Sequence, residues 1–371
     1  MYKVMGLCNL HHSPELGELT ASRPLASTSF LGRYAFIDFT LSNFSNSEID
    51  EVGILVKNGP RSILKHLGSA NVWNANTKLG YEAIMYNEKM ANNPRYNHDI
   101  NNIRANDWMF FTSMPDYFVI APAHIVMSID YREVLKAHIA KNAEITMVYT
   151  HIKNGKTNFI GSDFVKVSPQ GEIVYIRENK GTQDEADISL ETYIINRPKL
   201  AELMSKASAT SSFFSLNDII AFCCGKTETV NAYEYVGYAR CFDSLPHYVE
   251  YSLELLDYTV RKQLFKPEWP IYTVTHDTPP SKYGPSAEVT DSFIANGANV
   301  NGKVERSILS RYVTVAEGAS IKNSIILTDT VIGSGVHLDS VVVDKYAHII
   351  HAREINSTDG YPVYIKQGDV I

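Results

Sequence analysis

The side chains able to do chemistry in this 371-residue chain are scattered, and their spacing limits what they can do. Cys8, Cys223, Cys224 and Cys241 include no C-x-x-C pair, so neither a disulfide framework nor a zinc site is expected. Cys223 and Cys224 read as packing residues beside a helix. His11 and His12 sit in GLCNLHHSPELGELT (Gly6–Thr20), whose glycines are Gly6 and Gly17. The same stretch carries Glu15 and Glu18, and from Gly6 to Ser22 there is no Lys or Arg, so an anion would meet negative charge there. His11 and His12, neutral or partly protonated, are weak cations and read as loop or interface residues. His337 and His348 are the residues an acyl-transfer reading would use, but the three C-terminal repeats around them offer too little surface for an acyl-carrier site.

The elements that must position these groups begin with an ordinary soluble composition, 44% hydrophobic and 20% charged, at a length suited to about two domains. With 34 basic and 41 acidic side chains the net charge is −7, which argues against nucleic acid as a partner. The first residues, MYKVMGLCNLHHSPE, contain no apolar core of signal-peptide length, and no run approaches the ~18 apolar residues of a membrane span. A cytoplasmic protein without a membrane partner is expected. Val52–Val56, Tyr117–Ala121 and Ile145–Tyr149 have the length and residue types of strands. Between the last two, Tyr131, Val134, Leu135, His138 and Ile139 mark one face of a helix opened by Asp130 as N-cap. Strand, helix and strand in this order predict a βαβ unit. A strand at Val230–Tyr238 and a helix at Leu245–Asp257 follow.

Five prolines between Pro267 and Pro285 then interrupt any helix or central strand, so the segment reads as a linker. Beyond it, Gly302–Gly318, Ala319–Gly335 and Val336–Ala352 align as three copies of a 17-residue repeat. Val304, Ile321 and Leu338 coincide, as do Ile308, Ile325 and Val342, and Gly318 and Gly335 close successive copies. Apolar residues stacked once per coil predict a β-solenoid of about three coils plus partial ones. The expected division is an α/β domain at 1–265, a linker at 266–288 and the solenoid at 289–371.

The segment GRYAFIDFTLSNFSNSEI (Gly32–Ile49) resembles the G-K-Y-R-x-I-D-F-x-L-S-N-x-x-N-S-x-I motif of glucose-1-phosphate adenylyltransferases, the ADP-glucose pyrophosphorylases of glycogen and starch synthesis. Ser62–His66 is similar to the family's S-L-x-x-H, His124 with Ile129–Tyr131 to the ends of G-D-H-x-Y-x-M-D-Y, Asn217–Ile220 to G-x-D-I-I, and Tyr233–Tyr238 to Y-x-F-x-G-Y. The likeness spans nearly the whole chain. It implies a nucleotidyltransferase-like (Rossmann-like) mixed-sheet α/β domain followed by a left-handed parallel β-helix. The family reaction is attack of a sugar phosphate on the α-phosphorus of ATP, which needs backbone N–H groups and cations for the triphosphate and carboxylates for Mg²⁺.

The positions that the resemblance assigns to this chemistry are altered. The family's G-G-G-x-G-x-R loop is replaced by the acid-bearing Gly6–Thr20 stretch. Ala123, in Ala121-Pro122-Ala123-His124, stands where the first metal-binding Asp is implied, and Cys241 where the second is; a thiolate is a poor ligand for Mg²⁺. Asp130 and Asp243 are the nearest carboxylates that could replace them. In the sugar pocket Glu191 replaces a glycine, and His98–Asn102 stands for a G-T-A-x-A segment without its glycine. Gly6, His124, Glu191 and Asp218 are the residual ligand-pocket candidates. Gly32–Phe39 is expected to pack against the linker or the β-helix, where the family binds effectors, and Arg23, Arg33 and His66 are the nearest cations for a sugar-phosphate effector.

A retained scaffold with altered reactive positions resembles the noncatalytic, GlgD-type regulatory subunit of that family. The resemblance implies no catalytic residue and no metal in this chain, Mg²⁺ being held by a catalytic partner subunit in a hetero-oligomer that makes ADP-glucose for glycogen. The alternative is an active adenylyltransferase with rearranged metal ligands.

Overall fold

A computed structural model describes residues 2–68, 72–74, 80–89, 92–357 and 359–371. They form two compact units. The first comprises Met1–Ser13, Ile37–Cys241 and Pro267–Tyr272; the second comprises Pro14–Phe36, Phe242–Lys266 and Thr273–Ile371.

The first unit is built on a nine-stranded mixed sheet. Its strands are β1 (Val4–Asn9), β2 (Glu51–Val56), β3 (Tyr81–Tyr86), β4 (Tyr117–Pro122), β5 (Ile145–Ile152), β6 (Asp163–Val167), β7 (Ile173–Glu178), β8 (Ala186–Asn196) and β9 (Asn231–Glu234). The order runs β7-β6-β8-β4-β1-β2-β3, with β5 pairing β8 and β9. Strands β4, β1, β2 and β3 are mutually parallel, whereas β8 is antiparallel to β4, β5 and β6. The predicted βαβ unit is therefore present with its two strands parallel, but β8 lies between them. The buried runs of β1 and β4 are continuous, not alternating, as a sheet covered on both faces requires.

Seven helices of this unit matter below: α1 (Phe36–Asn46), α2 (Pro60–Leu67), α3 (Asp99–Ala105), α4 (Trp108–Ser113), α5 (Tyr131–Ala140), α6 (Arg197–Thr210) and α7 (Leu216–Cys223). Asp130 caps α5 by accepting from Arg132 N at 2.9 Å, and Tyr131, Val134 and His138 are buried on its inner face. All four cysteines are buried, and none is in a disulfide among the described residues. Burial pushes the Cys224 thiol up to about 11 and the Cys8 thiol higher still, which leaves both inert at neutral pH.

In the second unit the solenoid is a left-handed parallel β-helix with three parallel sheets of five strands each. The sequence pairs recur as stacked partners: Val304 on Ile321 on Leu338, and Ile308 on Ile325 on Val342. Further rungs lie on both sides, Val289 below Val304 and Ile355 above Leu338, so five strands stack where three repeats were legible. The step from Val289 to Val304 is two residues shorter than the others, which hid that coil from a fixed period. Glycine closes only one corner; Asp291, Arg306, Asn323 and Ser340 turn another with φ of 43, 44, 46 and 59°. Gly32 (φ 73°) packs on this solenoid so closely that a Cβ would stand 2.9 Å from the Leu309 carbonyl oxygen, as expected for the Gly32–Phe39 region.

The boundaries expected at 265 and 288 are corrected. Pro14–Phe36 and Phe242–Lys266 belong to the second unit. Pro267–Tyr272 is held on the first unit: Asn46 Nδ2 donates to Pro270 O (2.9 Å), Trp269 Nε1 to Asn43 Oδ1 (2.8 Å) and Tyr272 N to Ser42 Oγ (2.8 Å). Prolines lack a donor but keep their carbonyls, so a Pro-rich stretch can still be tied down by side chains. The first solenoid strand, Lys282–Tyr283, also lies inside the expected linker, paired with Asn299–Val300. Among the described residues no helix is long and apolar enough to cross a membrane.

Candidate functional site

The carboxyl ends of the parallel strands β1, β2 and β4 are where an open α/β sheet receives ligands. In this chain the end of β1 is closed by a polar network. Asn9 Nδ2 donates to Asp99 Oδ2 (2.8 Å), and Asn102 Nδ2 lies 2.9 Å from His11 Nε2. His11 Nδ1 faces Asn97 O at 3.4 Å, and His12 Nε2 lies 3.3 Å from Asp99 Oδ2. Asp99 is fully buried and also accepts from the amides of Ile100 and Leu216 at 2.8 and 2.9 Å. His11 lies in the turn after β1, as a loop residue, but is only 5% exposed, so the turn is locked inside the unit.

The two adjacent histidines hold different charges. Burial dominates at His11 and brings it down to about 4, leaving it neutral, with Nδ1–H donating to Asn97 and Nε2 accepting from Asn102. Burial also opposes charge on His12, but the Asp99 hydrogen bond and the charges of Asp99, Glu191 and Asp218 outweigh it and lift the imidazole to about 9. The Asp99 carboxyl is held well below its usual range: burial works against it, and His12, His11 and the Leu216 amide prevail.

On the opposite wall Glu191 sits at a register shift in β8, between Ser189 and Thr192, with φ 48°. The backbone keeps the left-handed conformation that suits glycine while the residue is Glu. Its Oε1 is 3.5 Å from His124 Nε2. Burial disfavours its charge, yet His124, His12 and Asn217 hold the carboxyl below the usual range. Nearby Asp163 is raised to about 7 by burial and by Glu191, Asp218 and Glu178, against the opposing charge of His12. Asp218 lines the cleft but serves the capping box of α7, accepting from Ser215 N and Oγ at 2.9 and 2.7 Å. Gly6, within β1, packs on the Phe44 ring, 3.1 Å from where a Cβ would stand.

Ala123 and Cys241 are 1% and 2% exposed. Strand Ala239–Cys241 pairs antiparallel with Ile125–Met127, Cys241 opposite Ile125, and Ala123 lies in the bend two residues before that partner. A methyl group and a thiol 3.9 Å from Ser162 Oγ do not fit Mg²⁺. Neither nominated substitute is better placed. Asp130 is spent on the α5 cap and on Arg132 (2.8 Å), and Asp243 in the second unit faces His247 Nδ1 at 2.5 Å. Among the described residues no group of three His, Cys, Asp or Glu side chains could hold a metal ion.

What remains open is a cleft of about 620 Å³ whose lining includes His12, Lys57, Arg95, Phe213 and Asp218. The absence of Lys and Arg from Gly6 to Ser22 did not foresee its positive side, because Lys57 comes from the end of β2 and Arg95 from the approach to α3. The position of Lys57 directly after the apolar run Val52–Val56 is the signal that could have found it.

Of the effector candidates, Arg23 is 7% exposed and ion-paired with Asp344, and His66 Nε2 is 2.6 Å from Asp38 Oδ1; both are engaged. Arg33 alone is available. With Arg261, Arg311 and His276 it lines a pocket of about 430 Å³ within the second unit. Arg311 and Arg261 were missed because they come from the solenoid and the helix Tyr258–Leu264.

Residues 15–216 match the sequence model of the nucleotidyl transferase family, and residues 279–359 match that of the GlmU-like, C-terminal hexapeptide family. The glycogen biosynthesis protein GlgD of Bacillus subtilis is 30% identical over 95% of this chain and 92% of its own length. The chain belongs to the glucose-1-phosphate adenylyltransferase family. The adenylyltransferases of Geobacillus stearothermophilus and B. subtilis are 29% and 28% identical, covering 83% and 82% of this chain and 80% and 81% of their own. The hexapeptide match begins at residue 279, ahead of the boundary expected at 289 and in line with the strand at Lys282–Tyr283.

Proposed function

We propose that this chain is a catalytically impaired regulatory subunit that assembles with a catalytic glucose-1-phosphate adenylyltransferase in cytoplasmic glycogen biosynthesis. The observation that carries the reading is the pair Ala123 and Cys241, both buried, one in the bend before Ile125 and the other on the strand paired with Ile125, with no side-chain oxygen to offer Mg²⁺. The network of Asn9, His11, His12, Asp99 and Asn102 supports it, since side chains occupy the strand end where a triphosphate would need free backbone N–H groups. The subunit acts by differential contact, favouring the active conformation of its partner, so that Mg²⁺ and turnover belong to the partner. Arg33, Arg261 and Arg311 receive a sugar-phosphate effector in the 430 Å³ pocket, where guanidinium forks suit phosphate oxygens.

The test has two arms. The isolated chain, assayed for pyrophosphate exchange with glucose 1-phosphate and Mg²⁺ or Mn²⁺, gives no turnover above background. Added to the catalytic paralogue from the same cell, it changes kcat or the response to sugar phosphates. Turnover by the isolated chain at the paralogue's rate sinks the reading.

A further inference from the structure

Away from the cleft, the first unit carries a second groove of about 410 Å³ formed by α3, α4, α6 and β4. Its floor is apolar, with buried Phe118 and Leu200 beside Met204. Arg104 and Arg197 stand over that floor, and Asp107 is the single carboxylate among its described lining residues. Arg197 Nε is buried without an acceptor among the described residues, and a buried donor left unpaired is destabilising. The rim continues as exposed apolar surface: Phe111 is 76% exposed, and Trp108 and Met114 are 53% and 55% exposed in the same short stretch. Large apolar side chains gathered in water mark a contact surface.

We propose that this face docks an acidic, apolar segment of a partner protein, a carboxylate being received by Arg197 and Arg104 while its apolar neighbour seats on Phe118, Leu200 and Met204. Charge selects this occupant, because two guanidinium groups against one carboxylate leave the groove positive in a chain whose net charge is −7. Extent selects a protein over a small anion, because Trp108 and Met114 lie beyond the groove's own lining. An aromatic and Arg-rich centre is also the composition of strongly contributing interface positions. Only the identity of the partner, the catalytic adenylyltransferase, rests on the reading above.

The experiment uses the full chain co-expressed with that adenylyltransferase, with complex formation measured by sedimentation. Arg197→Glu and Phe111→Ser each weaken association at least tenfold, Arg197→Lys weakens it less, and Phe222→Ser, an exposed control on α7, leaves it unchanged. Circular dichroism and thermal unfolding of each variant separate loss of binding from loss of fold. Wild-type association with undiminished binding by folded Arg197→Glu and Phe111→Ser overturns this inference and leaves the regulatory-subunit reading standing. Failure of the wild type to associate overturns both. Loss of self-association in place of hetero-association assigns the face to a second copy of this chain and overturns the assignment made here.

Discussion

Arg23 and Asp344, 321 positions apart in sequence, meet inside the second unit through two 2.7 Å bonds from Arg23 Nη2 to both carboxylate oxygens. Their side chains are 6% and 2% exposed. Tyr364 OH adds a 2.5 Å bond to Asp344 Oδ2, and Lys345 N donates to Oδ1 at 2.7 Å. The pair fastens the Pro14–Phe36 segment to the solenoid. An arginine that sequence nominates for an effector is thereby committed to structure.

Removing one partner strands a buried charge. Asp344→Ala is expected to cost about 3–5 kcal/mol in urea unfolding, whereas Arg23→Met with Asp344→Leu recovers most of it, because two buried charges also carry a desolvation penalty. A double variant as unstable as the single one would show that the charges themselves stabilise the unit.

His11 and His12 should titrate far apart, near 4 and 9 respectively in an NMR pH series. The folded-state value of His12 lies above the usual 6.5, so its contribution is fully present below pH 6.5 and is lost as pH rises through 9. Relative to His12→Gln, the wild type should lose on the order of 2–3 kcal/mol of stability across that window. At the acid end the sign reverses: Asp99 and His11 both have depressed folded values, so their contributions vanish as pH falls. Asp99→Asn should return His12 toward 6.5, and an unmoved His12 would show that the pair does not set its charge.

Glu191→Gly opposes two effects. Relief of the left-handed backbone at φ 48° gains about 1 kcal/mol, and loss of the carboxylate facing His124 costs about 1–2 kcal/mol. Stability should change little, so titration is the diagnostic measurement. Without the Glu191 charge, Asp163 should fall from about 7 and His12 from about 9. The raised Asp163 value makes the wild type lose stability as pH rises through 7, and that slope should flatten in the variant. An unchanged Asp163 titration would show that Glu191 does not raise it and leave burial, Asp218 and Glu178 as the causes.

What was legible in the sequence follows physical locality. The solenoid stacks Val304, Ile321 and Leu338 on one another because a coil meets the coil before it, and a fixed spacing records that directly. Ala123 and Cys241 could be singled out because they fall within contiguous motifs. The strand β8 between β4 and β5, the exchange of Pro14–Phe36 to the second unit, and the gathering of Arg33, Arg261 and Arg311 are long-range contacts that leave no periodic trace. The burial of His11 was not legible because its partners, Asn97 and Asn102, lie 86 and 91 positions away.

Ala123→Asp together with Cys241→Asp places two carboxylates at buried positions, one in the bend before Ile125 and one on the strand opposite it. Without metal the double variant should be destabilised by several kcal/mol, since two like charges taken from water repel and are poorly solvated. Oxygen ligands suit Mn²⁺ and Mg²⁺, so either ion should raise its melting temperature in a concentration-dependent way while leaving the wild type unmoved. Turnover is not expected to return, because the His11–Asn102 and His12–Asp99 contacts still fill the end of β1 and the Glu191 side chain remains in place. Calorimetry with Mn²⁺ and pyrophosphate exchange with glucose 1-phosphate measure the two outcomes separately. Metal binding without turnover locates the remaining block in that network, and recovered turnover would show that the two ligands were all that catalysis lacked.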